Sequence, residues 1–149
     1  MDDAPPAVLI LHSDEREAFE LQSLLQHNMD CKASLTWSGL EALRLLQAGL
    51  FDVLITDDYA VDLYIGDLIE RASALPSPPQ VLVLGGDSVR PDVVRYQNRG
   101  LCTILEKDRP RTLLQAITSG AVWSRSRTCA SAKNSARGLP QAAEAKRLN

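Results

Sequence analysis

Five apolar runs, each followed by a stretch with helical spacing, limit this chain to very few folds. AVLIL (7–11) is unbroken, the pattern of a strand covered on both faces. From Glu15 the period turns helical, through Ala18, Leu21, Leu24 and Leu25. MDCKASLTW supplies a second, less apolar strand. Ser38 then reads as the N-cap of GLEALRLLQAG, with Leu40, Leu43 and Leu46 as its apolar positions and a stop at Gly49. FDVLITD (51–57) is the third strand, and DLIERASAL is a helix halted by PSPP. VLVLGGD is the fourth strand. PDVVRYQNRG is a helix that opens on Pro91 and closes on Gly100. CTILEK is the fifth strand, and Arg111 to about Trp123 the last helix.

A strand–helix pair repeated five times predicts a three-layer α/β domain. Right-handed crossovers put helices on both faces of a five-stranded parallel sheet. Ligands and chemistry in such sheets collect at the carboxyl ends of the strands. Those ends here read HSDE, TDDY, GGDS and EKD.

At 149 residues, 45% of them hydrophobic, one domain with a real core is expected. No apolar run nears the roughly 18 residues that span a bilayer. MDDAPP lacks the basic start of a signal peptide, so a cytoplasmic protein without a membrane partner is expected. Cys31, Cys102 and Cys129 are odd in number and widely spaced, which argues against a disulfide framework or a zinc site.

The net charge of −3 is uneven: the last 25 residues carry +5, leaving −8 on the first 124. Residues 123–149 are small, polar and basic, and read as a disordered tail behind a domain at 6–122. The tail's charges are sparse and set among small residues, which disfavours a nucleic-acid partner. A DNA- or lipid-touching role is the minor reading.

Asp14 and Asp57 would lie side by side if the first and third strands are neighbours. Two close carboxylates repel, and a divalent cation or a lysine would offset that. Mg²⁺ favours one or two carboxylates with waters and a phosphate. Lys107 ends the fifth strand. The residues thus read as a carboxylate nucleophile beside a metal, with a cation awaiting phosphoryl oxygens.

In this order the residues resemble the receiver domain of two-component response regulators. Gly39 lies 25 residues after Asp14, Asp57 18 beyond it, Gly85 28 further and Lys107 22 after that. These intervals match the family's pattern of acid, glycine, phosphoacceptor, hydroxyl residue and lysine. The resemblance implies a flavodoxin-like (CheY-like) sheet order of 2-1-3-4-5. It implies that Asp57 is the phosphoacceptor and Lys107 the phosphate-pairing lysine. Mg²⁺ would be held by Asp14, Asp57, the backbone carbonyl of Tyr59 and, through water, Ser13. The implied partners are a sensor histidine kinase or phosphotransfer protein and an output protein. The implied output face is the fourth helix, fifth strand and fifth helix, roughly 91–122. The only implied chemistry is self-phosphorylation from a phosphohistidine donor.

The chain departs from that pattern at four places. Ser13 stands for the first acid of the pair, Gly85 for the Thr/Ser, Ile104 for the aromatic and Val61 for a proline. Ser13 should weaken Mg²⁺ binding. Gly85 and Ile104 together remove the usual switch, because a ligand shifts an equilibrium only through differential contacts. The backbone N–H groups of Gly85 and Gly86 are the remaining donors there. Lys107 is followed by Asp108 rather than proline, and about 25 tail residues cannot form a helix-turn-helix output domain.

Ordinary structural roles stand beside these. Asp14 is also a helix N-terminal acid favoured by the macrodipole, and Lys107 also a salt-bridge partner of Asp57. Asp58 and Glu15 read as solvated acids. His12 reads as a histidine at the core edge, and His27 as a surface helix residue. Trp37 and Trp123 read as packing anchors. Two functions remain: a stand-alone atypical receiver phosphorylated on Asp57, and a phosphorylation-independent pseudo-receiver module that kept the fold and lost the switch.

Overall fold

The computed structural model describes residues 5–58, 60, 62–85, 91–107 and 109–118. The expectations placed on Tyr59, Val61, Gly86, Asp108, Trp123, Cys129 and the tail at 123–149 lie outside the described residues.

Nine elements alternate: β1 (Ala7–Leu11), α1 (Glu15–Asn28), β2 (Lys32–Thr36), α2 (Gly39–Gln47), β3 (Val53–Thr56), α3 (Ile65–Ser73), β4 (Gln80–Leu84), α4 (Pro91–Asn98) and β5 (Thr103–Leu105). A further helix, α5, covers 110–118. The strands form one sheet in the order β2-β1-β3-β4-β5, every neighbouring pair parallel. This is the expected doubly wound α/β fold.

Alternation along each strand builds two cores, because successive side chains point to opposite faces. Leu9, Leu11, Leu54, Val81 and Val83 face α2, α3 and α4, where they meet Leu43, Leu46, Leu68, Ile69 and Val93. Val8, Ile10, Val53, Ile55 and Leu82 face α1 and α5, where they meet Leu25, Leu113 and Ile117. All four residues of β3 are buried, which is why that strand shows no polar alternation.

Local chemistry sets the helix ends. The Ser38 side chain accepts from the Glu41 N–H and caps α2 as expected, and Gly49 takes φ +75° just past the helix end. Leu40 departs from its expected core role: it is 52% exposed. Trp37 is not a buried anchor either. It is 43% exposed and packs edge-on against Phe19 at 6.1 Å. His27 is exposed, as expected.

Glycine brings α3 and α4 together. A Cβ on Gly66 would sit 2.5 Å from the Tyr64 ring and 2.7 Å from the Tyr96 hydroxyl, so a larger residue would push the helices apart. The Tyr64 hydroxyl reaches Asp92, and Arg99 pairs with Glu70 at 3.1 Å. On β5 the Leu105 carbonyl accepts from the Gly85 N–H toward β4 at 2.8 Å, so the Ile104 N–H points away from the sheet. Gln97 Oε1 from α4 accepts that N–H at 2.6 Å.

Candidate functional site

β1 and β3 run in register up to the pair Leu11–Thr56. The next residue on each strand, His12 and Asp57, therefore emerges side by side at the carboxyl rim of the two central strands. Both are buried, at 3% and 5% exposure. A buried carboxylate needs hydrogen bonds. Ser13 supplies two to Asp57 Oδ2, from its hydroxyl at 2.5 Å and its N–H at 3.3 Å. The Thr56 hydroxyl donates to the Asp57 carbonyl at 2.8 Å.

Asp14, the expected metal acid, is the N-cap of α1: its Oδ1 accepts from the Arg16 N–H at 2.9 Å and the Glu17 N–H at 3.2 Å. Asp14 and Glu17 occupy the N-cap and N3 positions of a capping box, in which the N3 side chain reaches back to the N-cap N–H. Here His12 has taken that partner. The Asp14 N–H donates to His12 Nδ1 at 3.0 Å. Nδ1 is thus an acceptor, which assigns the proton to Nε2 in the neutral ring. Nε2 faces Glu17 Oε1 at 3.4 Å. Asp57 Oδ2 lies 3.7 Å from Nδ1, beyond hydrogen-bond reach.

Lys107 extends from the end of β5 over the same rim. Among the described residues its ion-pair partner is Glu17, Nζ to Oε1 at 3.4 Å, and not Asp57. Glu17 and Lys107 are each about half exposed, at 47% and 49%. An open groove of about 500 Å³ runs beside them, floored by Leu21, Leu24 and Leu84.

The loop after Asp57 is anchored to α2. Asp62 accepts from the Ser38 hydroxyl at 2.5 Å and the Gly39 N–H at 2.8 Å. The Ser38 bond is the main reason the Asp62 carboxyl is held below its usual range, with the Gly39 and Leu40 N–H groups assisting. The chain passes so close that a Cβ on Gly39 would lie 2.9 Å from the Leu63 Cβ.

Of the residues expected to form the site, Ser13 touches Asp57 directly. Asp14 and Lys107 stand on the same rim, Asp14 holding the His12 ring through its N–H and Lys107 pairing with Glu17. Gly85 does not offer its N–H to the site, because that group pairs with Leu105. Ile104 is half buried against the α4 side of the core. Sequence reasoning gave His12 no role at the site and did not single out Glu17. The signal for Glu17 was its capping-box position, three residues past Asp14.

Among the described residues, no three His, Cys, Asp or Glu side chains converge as a metal cage. The Asp57 and Asp14 carboxylates and the Ser13 hydroxyl are hard oxygen donors of the kind Mg²⁺ takes when water and phosphate complete its shell. They fit that ion. Only the Asp57 carboxylate is fixed by side-chain burial; that of Asp14 is on the exposed helix end.

No protein-family profile matches the sequence, and no curated protein matches it. Solved structures do match by fold. The signal receiver domain of an HD domain-containing protein from Pseudomonas fluorescens superposes with a TM-score of 0.72 at 23% identity, over 85% of this chain and 94% of that one. A CheY-like response regulator receiver domain protein from Methanospirillum hungatei gives 0.70 at 17% identity, over 83% and 99%. The receiver domain of a sensor histidine kinase from Pseudomonas aeruginosa, with a magnesium ion in its active-site cleft, gives 0.67 at 14% identity, over 79% and 98%. The chain has the fold of response-regulator receiver domains. No described helix is long and apolar enough to cross a membrane.

Proposed function

We propose that this chain is an atypical receiver that takes a phosphoryl group on Asp57 and signals by surface contact. The observation that supports this reading best is the buried Asp57 carboxylate at the carboxyl end of β3. Ser13 holds it, and Lys107 stands on the same rim. In the step, an Asp57 oxygen attacks phosphorus and the P–N bond of a phosphohistidine breaks. The electron pair leaves with the donor's imidazole nitrogen, which picks up a proton.

Ser13 orients the carboxylate through two bonds to one oxygen. Lys107 would leave Glu17 to meet the phosphoryl oxygens. Asp14, Asp57 and the Tyr59 carbonyl would hold Mg²⁺, with Ser13 contributing weakly through water. Such an ion would supply charge neutralisation to the transferring group. The donor is a sensor histidine kinase or a phosphotransfer protein, and the output partner docks on α4, β5 and α5. Beyond accepting its own phosphoryl group, the chain carries out no catalysis in this reading.

A second reading is favoured by a specific observation. The Gly85 N–H is bonded to Leu105, and Gln97 holds the Ile104 N–H. A module fixed in this way would serve as a phosphorylation-independent platform. Intact mass after acetyl phosphate with Mg²⁺ separates the two. A single adduct that disappears in Asp57→Asn is the expected result, and no adduct on the wild-type chain leaves the platform reading standing.

A further inference from the structure

The cation expected to meet the phosphoryl group is already paired, and its partner is built into α1. Glu17 Oε1 accepts from Lys107 Nζ at 3.4 Å and lies 3.4 Å from His12 Nε2. His12 is held in turn by the Asp14 N–H at 3.0 Å. Its burial in the rim leaves it little freedom to turn. Glu17, at the third position of α1, therefore stands beside the buried His12 ring and offers one oxygen to Lys107. We propose that Glu17, beside His12, is a positioning residue that holds Lys107 off Asp57 until a phosphoryl group displaces it.

The physics of the exchange is a competition for one ammonium group. A carboxylate carries one negative charge, whereas a phosphoryl group at neutral pH carries about −1.5 to −2 and three acceptor oxygens. A half-exposed ion pair is weak and solvent-screened, so it can be broken by a stronger anion nearby. Lys107 lines an open groove, so its side chain can change partner without repacking a core. When it leaves, Glu17 loses its ammonium partner, and the first turn of α1 carries one more unpaired negative charge among the described residues. The state of Asp57 is thereby written on the α1 surface without a hydroxyl at Gly85 or an aromatic at position 104.

This inference rests on the phosphoacceptor reading, and one experiment separates their failures. Beryllofluoride with Mg²⁺ is titrated into the ¹⁵N-labelled full chain, and affinity is read from amide shifts around Asp57. The proteins compared are wild type, Glu17→Gln, Lys107→Met and the double variant. Glu17→Gln should bind roughly threefold tighter than wild type, the scale of a weak exposed pair. Lys107→Met should bind more weakly, and adding Glu17→Gln to it should give no gain. Glu17→Asp keeps the charge at the helix start but shortens the reach, and should behave as Glu17→Gln does. Unchanged or weaker binding by Glu17→Gln, or an equal gain in both lysine backgrounds, overturns the positioning role while the phosphoacceptor reading survives. No binding by wild type or by Glu17→Gln removes both.

Discussion

Ser13 puts a neutral hydroxyl 2.5 Å from Asp57 Oδ2 where a receiver would ordinarily place a second acid. The hydroxyl donates to the buried carboxylate and offsets part of its desolvation. Ser13→Asp reverses that balance. Two carboxylates near 4 Å repel by about 1–4 kcal/mol between bulk-water and surface dielectric conditions. The variant should melt below wild type without Mg²⁺ and recover when Mg²⁺ is added. Its Mg²⁺ affinity, from amide-shift titration, should rise about tenfold, or about 1.4 kcal/mol. Burial pushes the Cys102 thiol up to about 11. At pH 7 to 8 it is therefore protonated and poorly nucleophilic. Peptide mapping after iodoacetamide should find Cys102 unmodified in the native protein and alkylated after denaturation. That Asp57 follows β3 and Lys107 follows β5 was legible from the strand–helix alternation. The partner of Lys107 was not, because α1 brings Glu17 across from 90 residues away in sequence. His12 was read as a core-edge residue. It is buried as expected, but its Nδ1 also accepts from the Asp14 N–H and its Nε2 faces Glu17, contacts local to the turn from β1 into α1.

Elements meet at two glycines, and each contact has a measurable consequence. Gly66→Ala drives a methyl into Tyr64 and Tyr96 and should cost about 1–3 kcal/mol in chemical denaturation. The clamp between Asp62 and the start of α2 is sensitive to acid. Its carboxyl is held below the ordinary aspartate value of 3.8 in the folded chain. The clamp's contribution is then complete above pH 3.8 and is lost as pH falls through the lower folded value. The Gly39 amide shift should titrate with a midpoint below 3.8 and move up toward it in Ser38→Ala, since the Ser38 bond is the main cause. Most elements could be read from their own residues. Ser38 announced α2, and AVLIL gave β1 to the residue. The start of α3 could not, because Tyr64 makes no side-chain capping bond. Burial of Ile65, at 1% exposure, accompanies a helix start two residues before the Asp67 that opened the expected segment.

At the scale of the whole molecule, β3 is the beam that both cores share. Leu54 is fully buried at the centre of the sheet, and Leu54→Ala should cost about 2–5 kcal/mol by denaturant titration. The doubly wound order followed from five repeated strand–helix pairs and the resemblance together, because handedness and short connections leave few alternatives. The patterning was less informative at the surface. Phe19, Trp37 and Leu40 look like core residues in a list of types, yet all three are more than 40% exposed. β5 is an outer strand of only three residues, and its outward N–H at Ile104 is covered by Gln97. An uncovered backbone donor on a sheet margin invites another chain to add a strand. The side chain of Gln97 satisfies that donor, and Gln97→Ala would leave it open to water or to the backbone of another chain.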